Sequence, residues 1–165
     1  MKKELDSVFA ESVKQKYKNV FFGTLTEEEK AEVRFDGYMW HAFSYEKIPA
    51  QEGIEAVKAF RNKEKRGGYI LFQHRSEVLE WQTLTYDELL DIIMETAVYY
   101  GDEIYVEDTE CYVTDKDFTW TFMCTHETYI EGVFELEKEE GRDFDMFPSI
   151  GPFFYEPTDK NNPVE

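Results

Sequence analysis

A chain of 165 residues with 42% hydrophobic and 17% aromatic residues has enough apolar material for one folded domain with a core. Its formal net charge of -18 opposes binding to nucleic acid or to an anionic membrane through the bulk surface. No apolar run approaches the ~20 residues that span a bilayer, and the N-terminus becomes charged again before a signal-peptide core could form. We therefore expect a cytoplasmic protein with no membrane contact.

The negative charge is concentrated in one half of the chain. Residues 1–75 contain 14 Lys and Arg against 12 Asp and Glu, a net charge of +2. Residues 76–165 contain 4 against 24, a net charge of -20. This asymmetry has two interpretations, a solubilising surface or a surface that meets a basic partner.

The first half of the chain alternates helical and strand patterns. Apolar residues at helical spacing predict a helix over 4–18, and a capping box of Thr26 and Glu29 begins a short helix that ends near Asp36. The aromatic run 38–45 predicts a strand buried on both faces. A helix over about 50–63 and strands at 69–74 and 78–81 follow.

In the second half, a capping box of Thr85 and Glu88 begins a helix that we expect to reach Tyr100. Strands are predicted at 104–106 and 111–113, then a turn at 115–117 and an alternating strand over 118–125. The segment 144–155 is predicted to pack against the body of the domain as a loop, and 157–165 to be a disordered tail. The resulting fold class is α+β: a single domain, 1–156, with four to six short, mostly antiparallel strands and three or four helices packed mainly on one face.

The two cysteines, Cys111 and Cys124, lie on the two arms of the predicted hairpin. A turn at 115–117 places Cys111 opposite Trp120 or Thr121 and leaves the two sulfurs about 10–13 Å apart, at ~3.3 Å per residue. Because a disulfide needs Cα atoms within about 7 Å, we expect two reduced thiols.

Candidates for chemistry are few. The three histidines, His41, His74 and His126, fall at predicted strands that could share one sheet edge, but none has the spacing of a metal-ligand pair. His41, His126 and Glu127 are the weak catalytic candidates, although His126 and Glu127 point to opposite faces of a regular strand. The Gly67-Gly68 pair lacks the other residues of a phosphate-binding loop. We predict no metal and no cofactor, and whether the protein is an enzyme stays open, with a non-enzyme favoured.

Several motifs occur in a fixed order along the chain: Trp-His-x-Phe-Ser-Tyr at 40–45, Phe-Thr-Trp-Thr at 118–121, Thr-His-Glu at 125–127 and Gly-Pro-x-Phe at 151–154. Over roughly 20–155, the chain resembles a bacterial, Bacillus-type family with a domain of unknown function, the DUF4275-like group. The resemblance implies a bacterial intracellular protein and no particular activity. Relative to the family pattern, the acidic segment 129–147 looks like an insertion.

We therefore weigh three hypotheses for the function. The first is a non-enzymatic binding protein of the immunity or inhibitor type, which covers a basic surface on a protein partner. Seven acids of the insertion are the predicted contact residues: Glu131, Glu135, Glu137, Glu139, Glu140, Asp143 and Asp145. The second is a DNA mimic that blocks a nucleic-acid-binding protein, and the third is a small hydrolase or metal-dependent enzyme that uses His41, His126 and Glu127.

Overall fold

The computed structural model describes residues 2–35, 39–45, 47–73, 75–94, 97–100, 103–106, 110–124 and 152–157. The helices of this part of the chain are α1 (Ser7–Phe22), α2 (Glu27–Glu32), α3 (His41–Ser44), α4 (Ile54–Asn62) and α5 (Tyr86–Met94). The strands are β1 (Lys2–Glu4), β2 (Gln51–Glu52), β3 (Gly68–Phe72), β4 (Val78–Trp81), β5 (Ala97–Tyr100), β6 (Glu103–Val106), β7 (Cys111–Asp115), β8 (Thr121–Cys124) and β9 (Phe153–Tyr155).

Seven of these strands form one sheet in the order β1-β4-β3-β7-β8-β9-β2, and every neighbouring pair is antiparallel. Strands β5 and β6 form a separate antiparallel pair. The longest ladder joins β3 to β7 at the centre of the sheet. The α+β class and the antiparallel pairing predicted from the sequence are confirmed. The predicted counts are too low: the sheet has seven strands instead of four to six, and the described residues contain five helices instead of three or four.

Each face of the sheet is covered by its own apolar layer, because successive strand residues point to opposite sides. Along β3, Tyr69 and Leu71 join the layer under α1 and α3, whereas Ile70 and Phe72 join the layer under α4 and α5. Most of the sheet is therefore buried on both sides. The sequence analysis placed the helices mainly on one face, and this detail is wrong.

The aromatic run 38–45, predicted to be a strand, forms a turn and the short helix α3 in its described part. Met39, Trp40, Ala42 and Phe43 are all buried. A short helix that is buried on nearly all sides has the same apolar composition as a strand that is buried on both faces. Over so few residues, the spacing of apolar residues cannot distinguish a helix from a strand.

Two further boundaries differ from the prediction. Helix α5 ends at Met94, and the apolar residues after it form β5 rather than two more helical turns. The segment 153–155, predicted to be a loop, pairs as β9 between β8 and β2. Strand β5 pairs with the next strand, β6, whereas β9 pairs with β2, about 100 residues earlier in the chain, a partner that a local pattern cannot show.

The predicted separation of the cysteines is also wrong: Cys111 pairs directly with Cys124 across β7 and β8. The hairpin connection is longer than the predicted turn, because pairing stops at Thr114↔Thr121. Asp115 accepts hydrogen bonds from the backbone N–H of Thr119 at 2.7 Å and from its hydroxyl, and Phe118 has a φ of 57°. The additional loop residues shift the register by three or four positions relative to the predicted partners, Thr121 or Trp120.

Among the described residues, no helix combines the length and the apolar character needed to cross a bilayer. His74, His126, Glu127, the predicted insertion 129–147 and the tail from residue 158 lie outside the described residues.

Candidate functional site

His41, one of the three candidate catalytic residues, lies at the first position of α3. Its ring is half-buried between Trp40 and Tyr45, with ring centroids 4.5 Å and 5.3 Å away. Nδ1 lies 2.7 Å from the carbonyl oxygen of Val33. Since a carbonyl can only accept, Nδ1 donates, and the neutral ring keeps its lone pair on Nε2. Nε2 is therefore the atom that could accept a proton or ligate a metal.

The other two candidates, His126 and Glu127, and the seven predicted contact acids lie outside the described residues. The catalytic grouping of His41 with His126 and Glu127 therefore stays a prediction. Within the described part of the chain, no group of three or more His, Cys, Asp or Glu side chains could hold a metal ion.

A buried polar network fixes the start of α3 to the sheet. The Tyr112 hydroxyl donates to Gln73 Oε1, which also accepts the backbone N–H of Met39 at 2.8 Å. The same hydroxyl accepts the backbone N–H of Trp40 at 3.3 Å. Burial raises the pKa of Tyr112 well above its ordinary value, so the hydroxyl stays protonated and keeps its donor role. The network thereby positions His41, the next residue along the chain.

A small cavity of about 110 Å³ lies beside this network, between α1 and the sheet. Its lining includes the polar side chains of Lys14, Lys18 and Gln73, and Tyr17 also lines it. Tyr17 is fully buried, and its hydroxyl lies 2.7 Å from Thr121 Oγ1. Burial also raises the pKa of Tyr17, which holds this hydroxyl in its neutral form.

The sequence analysis treated Tyr17 only as an apolar helix position and did not single out Tyr112 or Gln73. The available signal was weak: a tyrosine on an apolar helix face or in a core strand brings a hydroxyl that needs a partner. The partners lie 34 to 104 residues away, as in Met39 with Gln73 and Tyr17 with Thr121, so spacing could not identify them.

On the opposite face of the sheet, Cys111 and Cys124 form a pair of free thiols in the layer under α4 and α5. Both side chains are buried, and a hydrogen bond between them, together with burial, holds the pKa of Cys124 well above its ordinary value. Tyr86 packs in the same layer, and the Arg61 guanidinium lies 4.9 Å from its ring centroid. Both cysteines are therefore part of the hydrophobic core.

The acidic segment has defined anchor points. Strand β8 ends at Cys124, β9 begins at Phe153, and Met123 pairs directly with Phe153. Two adjacent antiparallel strands are thus joined by 28 residues, 125–152, where two to five residues are usual for a hairpin. This connection contains all seven predicted contact acids as well as His126 and Glu127.

These features define an α+β protein whose antiparallel sheet is covered on both faces and in which an acidic connection of 28 residues joins two neighbouring strands. The family model with the description "Domain of unknown function (DUF4275)" matches residues 1–134, and the chain belongs to this family. The match includes the first six residues of the predicted insertion and the motifs from 40 to 127, whereas β9 lies beyond it. No curated protein and no solved structure matches the chain.

Proposed function

We propose that the protein is a non-enzymatic binding protein of the immunity or inhibitor type, acting in the bacterial cytoplasm by covering a basic surface on a protein partner. The β8–β9 connection, residues 125–152, would supply the main contact. The observation that carries the proposal is the length of this connection between strands that are already paired at its root. Long connections in compact domains are commonly functional loops.

The charge distribution supports the same segment. The described residues contain 15 Lys and Arg against 20 Asp and Glu, which is close to balanced. Residues 125–152 contain 2 against 8, a net charge of -6 in 28 residues. A concentrated negative field speeds the encounter with a basic surface and disfavours acidic partners.

Charge-matched variants test the proposal in a capture experiment on immobilised protein. The loop variant changes the seven predicted contact acids to Gln or Asn. The control variant neutralises seven exposed acids elsewhere: Glu4, Glu11, Glu28, Glu52, Asp87, Asp91 and Asp117. Both variants therefore have the same net charge.

The wild-type protein is expected to capture a basic protein that elutes as the salt concentration rises to physiological ionic strength. The loop variant should bind it at least about tenfold more weakly, while the control variant stays within about threefold of the wild type. Binding that is insensitive to salt, or an equal loss in both variants, contradicts the proposal.

The same experiment separates a DNA mimic from an inhibitor of another kind. A DNA mimic would capture a nucleic-acid-binding protein, and duplex DNA would displace the bait from it in competition. Displacement of the bait by duplex DNA would identify a DNA mimic. A captured partner that stays bound in the presence of duplex DNA would exclude this alternative.

A second candidate, a small hydrolase or metal-dependent enzyme, is favoured by one observation. The Val33 carbonyl fixes the tautomer of His41 and leaves Nε2 as a base, as a general base or a metal ligand requires. This candidate requires His126 and Glu127 within hydrogen-bond reach of His41. Activity lost in His41→Ala but retained in the loop variant would separate it from the binding function.

A further inference from the structure

The paired thiols occupy a special position in the sheet. Cys111 is the first residue of β7, Cys124 is the last residue of β8, and the two face each other on the terminal rung of the ladder between these strands. They are also the only two cysteines in the sequence. Any intramolecular disulfide in this protein must therefore join them.

The hydrogen-bond pattern shows which kind of rung they share. Gln73 donates its N–H to the Glu110 carbonyl at 2.9 Å, and Lys116 donates its N–H to the Gly67 carbonyl at 3.1 Å. Even-numbered residues of β7 thus bond to β3, so the peptide groups of Cys111 face β8. A hydrogen-bonded antiparallel pair has its Cα atoms about 5.5 Å apart, within the ~4.4–6.8 Å range that a disulfide accepts.

In the closed structure the thiols are protected. Cys111 is 0% and Cys124 is 1% exposed, and the pKa of Cys124 is raised by the hydrogen bond to Cys111 and by burial. Thiol exchange needs a thiolate that the oxidant can reach, so the pair reacts only when the rung opens. Among the described residues this is the last rung of the β7–β8 ladder, and the end of a ladder opens more easily than its interior.

We propose that Cys111 and Cys124 form a reversible cross-strand disulfide. Low-molecular-weight disulfides such as oxidised glutathione would oxidise the two thiols by thiol–disulfide exchange. One cysteine thiolate attacks the small disulfide, which gives a mixed disulfide and releases one small thiol. The second cysteine, having lost its proton, then attacks the protein sulfur of the mixed disulfide and releases the second small thiol. The protein loses two protons and two electrons, and the small disulfide is reduced to two thiols.

Rung geometry makes this bond easy to reverse. Cβ atoms on hydrogen-bonded rungs lie near the wide end of the ~4.5–5.5 Å range, whereas a disulfide needs about 3.5–4.5 Å. Closing the bond therefore draws the strand ends together and stores strain, which favours reduction. This disulfide would form and break whether or not the acidic connection, which begins directly after Cys124, binds a partner.

The test uses the full-length native protein with mixtures of reduced and oxidised glutathione, an acid quench and intact-mass measurement. We expect the wild-type protein to lose the mass of two hydrogen atoms, to form no disulfide between chains and to regain both thiols in excess reduced glutathione. The single variants Cys111→Ser and Cys124→Ser should instead retain one glutathione, because no second thiol resolves the mixed disulfide. The oxidised wild-type protein should have a Tm that differs from that of the reduced form by several degrees, about 5 °C.

The wild-type chain in denaturant provides a reference that needs no variant. Native protein that keeps both thiols, under conditions that fully oxidise the denatured chain, would overturn the proposal. So would a disulfide-linked dimer as the main product, or a stable glutathione adduct on the wild-type protein like that on the single variants. If a serine variant fails to fold, the comparison of native with denatured wild type still decides the question.

Discussion

At the residue scale, one buried hydroxyl organises the neighbourhood of His41. Tyr112 lies in the centre of the sheet with its side chain fully buried, and it bonds to both Gln73 and the backbone of Trp40. A buried hydroxyl that both donates and accepts a hydrogen bond fixes the orientation of its two partners more tightly than apolar packing does. The backbone entering α3 is therefore held to β7 and to the residue that follows β3.

Replacing Tyr112 with Phe should destabilise the protein by about 1–3 kcal/mol, because it removes the donor to Gln73 and the acceptor of the Trp40 N–H inside the core. Tyr45→Phe is the matched control: Tyr45 is 52% exposed, and the loss of its hydroxyl should change stability by less than about 0.5 kcal/mol. Urea unfolding of the two variants measures the difference. Equal effects of the two substitutions would show that the network contributes nothing specific.

At the element scale, two capping boxes have the same hydrogen bonds but different surroundings. In each, the threonine Oγ1 accepts the N–H of the residue three positions on, at 3.0 Å for Thr26 and 3.1 Å for Thr85. The glutamate returns a bond of 2.9 Å to the threonine N–H in both boxes. Helix α2 buries none of its residues, whereas α5 buries Tyr86, Leu89 and Ile92.

This difference predicts unequal effects of the same substitution. Thr85→Ala should lower the global free energy of unfolding by about 1 kcal/mol, because α5 is integrated with the core and its loss requires unfolding. Thr26→Ala should mainly fray α2, with faster amide hydrogen exchange there and a smaller global effect. Urea unfolding and hydrogen exchange measure the two responses. A larger global loss for Thr26→Ala than for Thr85→Ala would contradict this assignment.

The capping boxes also show what the sequence makes predictable. Helix starts depend on residues three positions apart, so both boxes and the strands at 69–74 and 78–81 were identified from local patterns and are present in the structure. Strand β9 and the run at 38–45 were not, because their states depend on distant partners. The cysteine register failed for a single reason: the side chain of Asp115 holds a loop longer than the predicted turn.

The candidate site was predictable to a lesser degree than the fold. His41 was identified from its residue type alone, and the contact that selects its tautomer, the Val33 carbonyl, is a backbone group that no side-chain motif specifies. Tyr17, Gln73 and Tyr112 were missed because their partners come together only after the sheet has formed. Charge, in contrast, could be counted directly, and it drew attention to the segment 129–147, which lies within the connection 125–152, before the flanking strands were known.

At the scale of the whole molecule, both apolar layers contain titratable groups that are neutral in the folded state. Tyr17 and Tyr112 lie under α1, and Tyr86 and Cys124 lie under α4 and α5. Burial is the largest cause of the raised pKa of each tyrosine, and for Cys124 it acts together with the hydrogen bond to Cys111. Folding is thus coupled to retention of these protons on both sides of the sheet.

This coupling predicts alkaline unfolding with a definite onset. A group whose folded pKa is raised contributes its full stability below its unfolded pKa and loses that contribution as the pH rises. The free energy of unfolding should therefore fall from about pH 8.5, where an unfolded cysteine ionises, and more steeply above about pH 10, where unfolded tyrosines ionise. Each group adds a slope of about 1.4 kcal/mol per pH unit above its unfolded pKa.

The double variant Cys111→Ala/Cys124→Ala isolates the first part of this decline. In that variant the fall should begin near pH 10 instead of near pH 8.5, since the sequence then contains no thiol and the buried tyrosines set the onset. Urea unfolding at a fixed moderate salt concentration, which screens the growing net negative charge, measures the onset for both proteins. Ultraviolet absorbance should show tyrosinate from the buried tyrosines only within the unfolding transition. If stability stays constant from pH 8 to 11, or the buried tyrosines ionise in the native protein, the coupling between folding and proton retention is wrong.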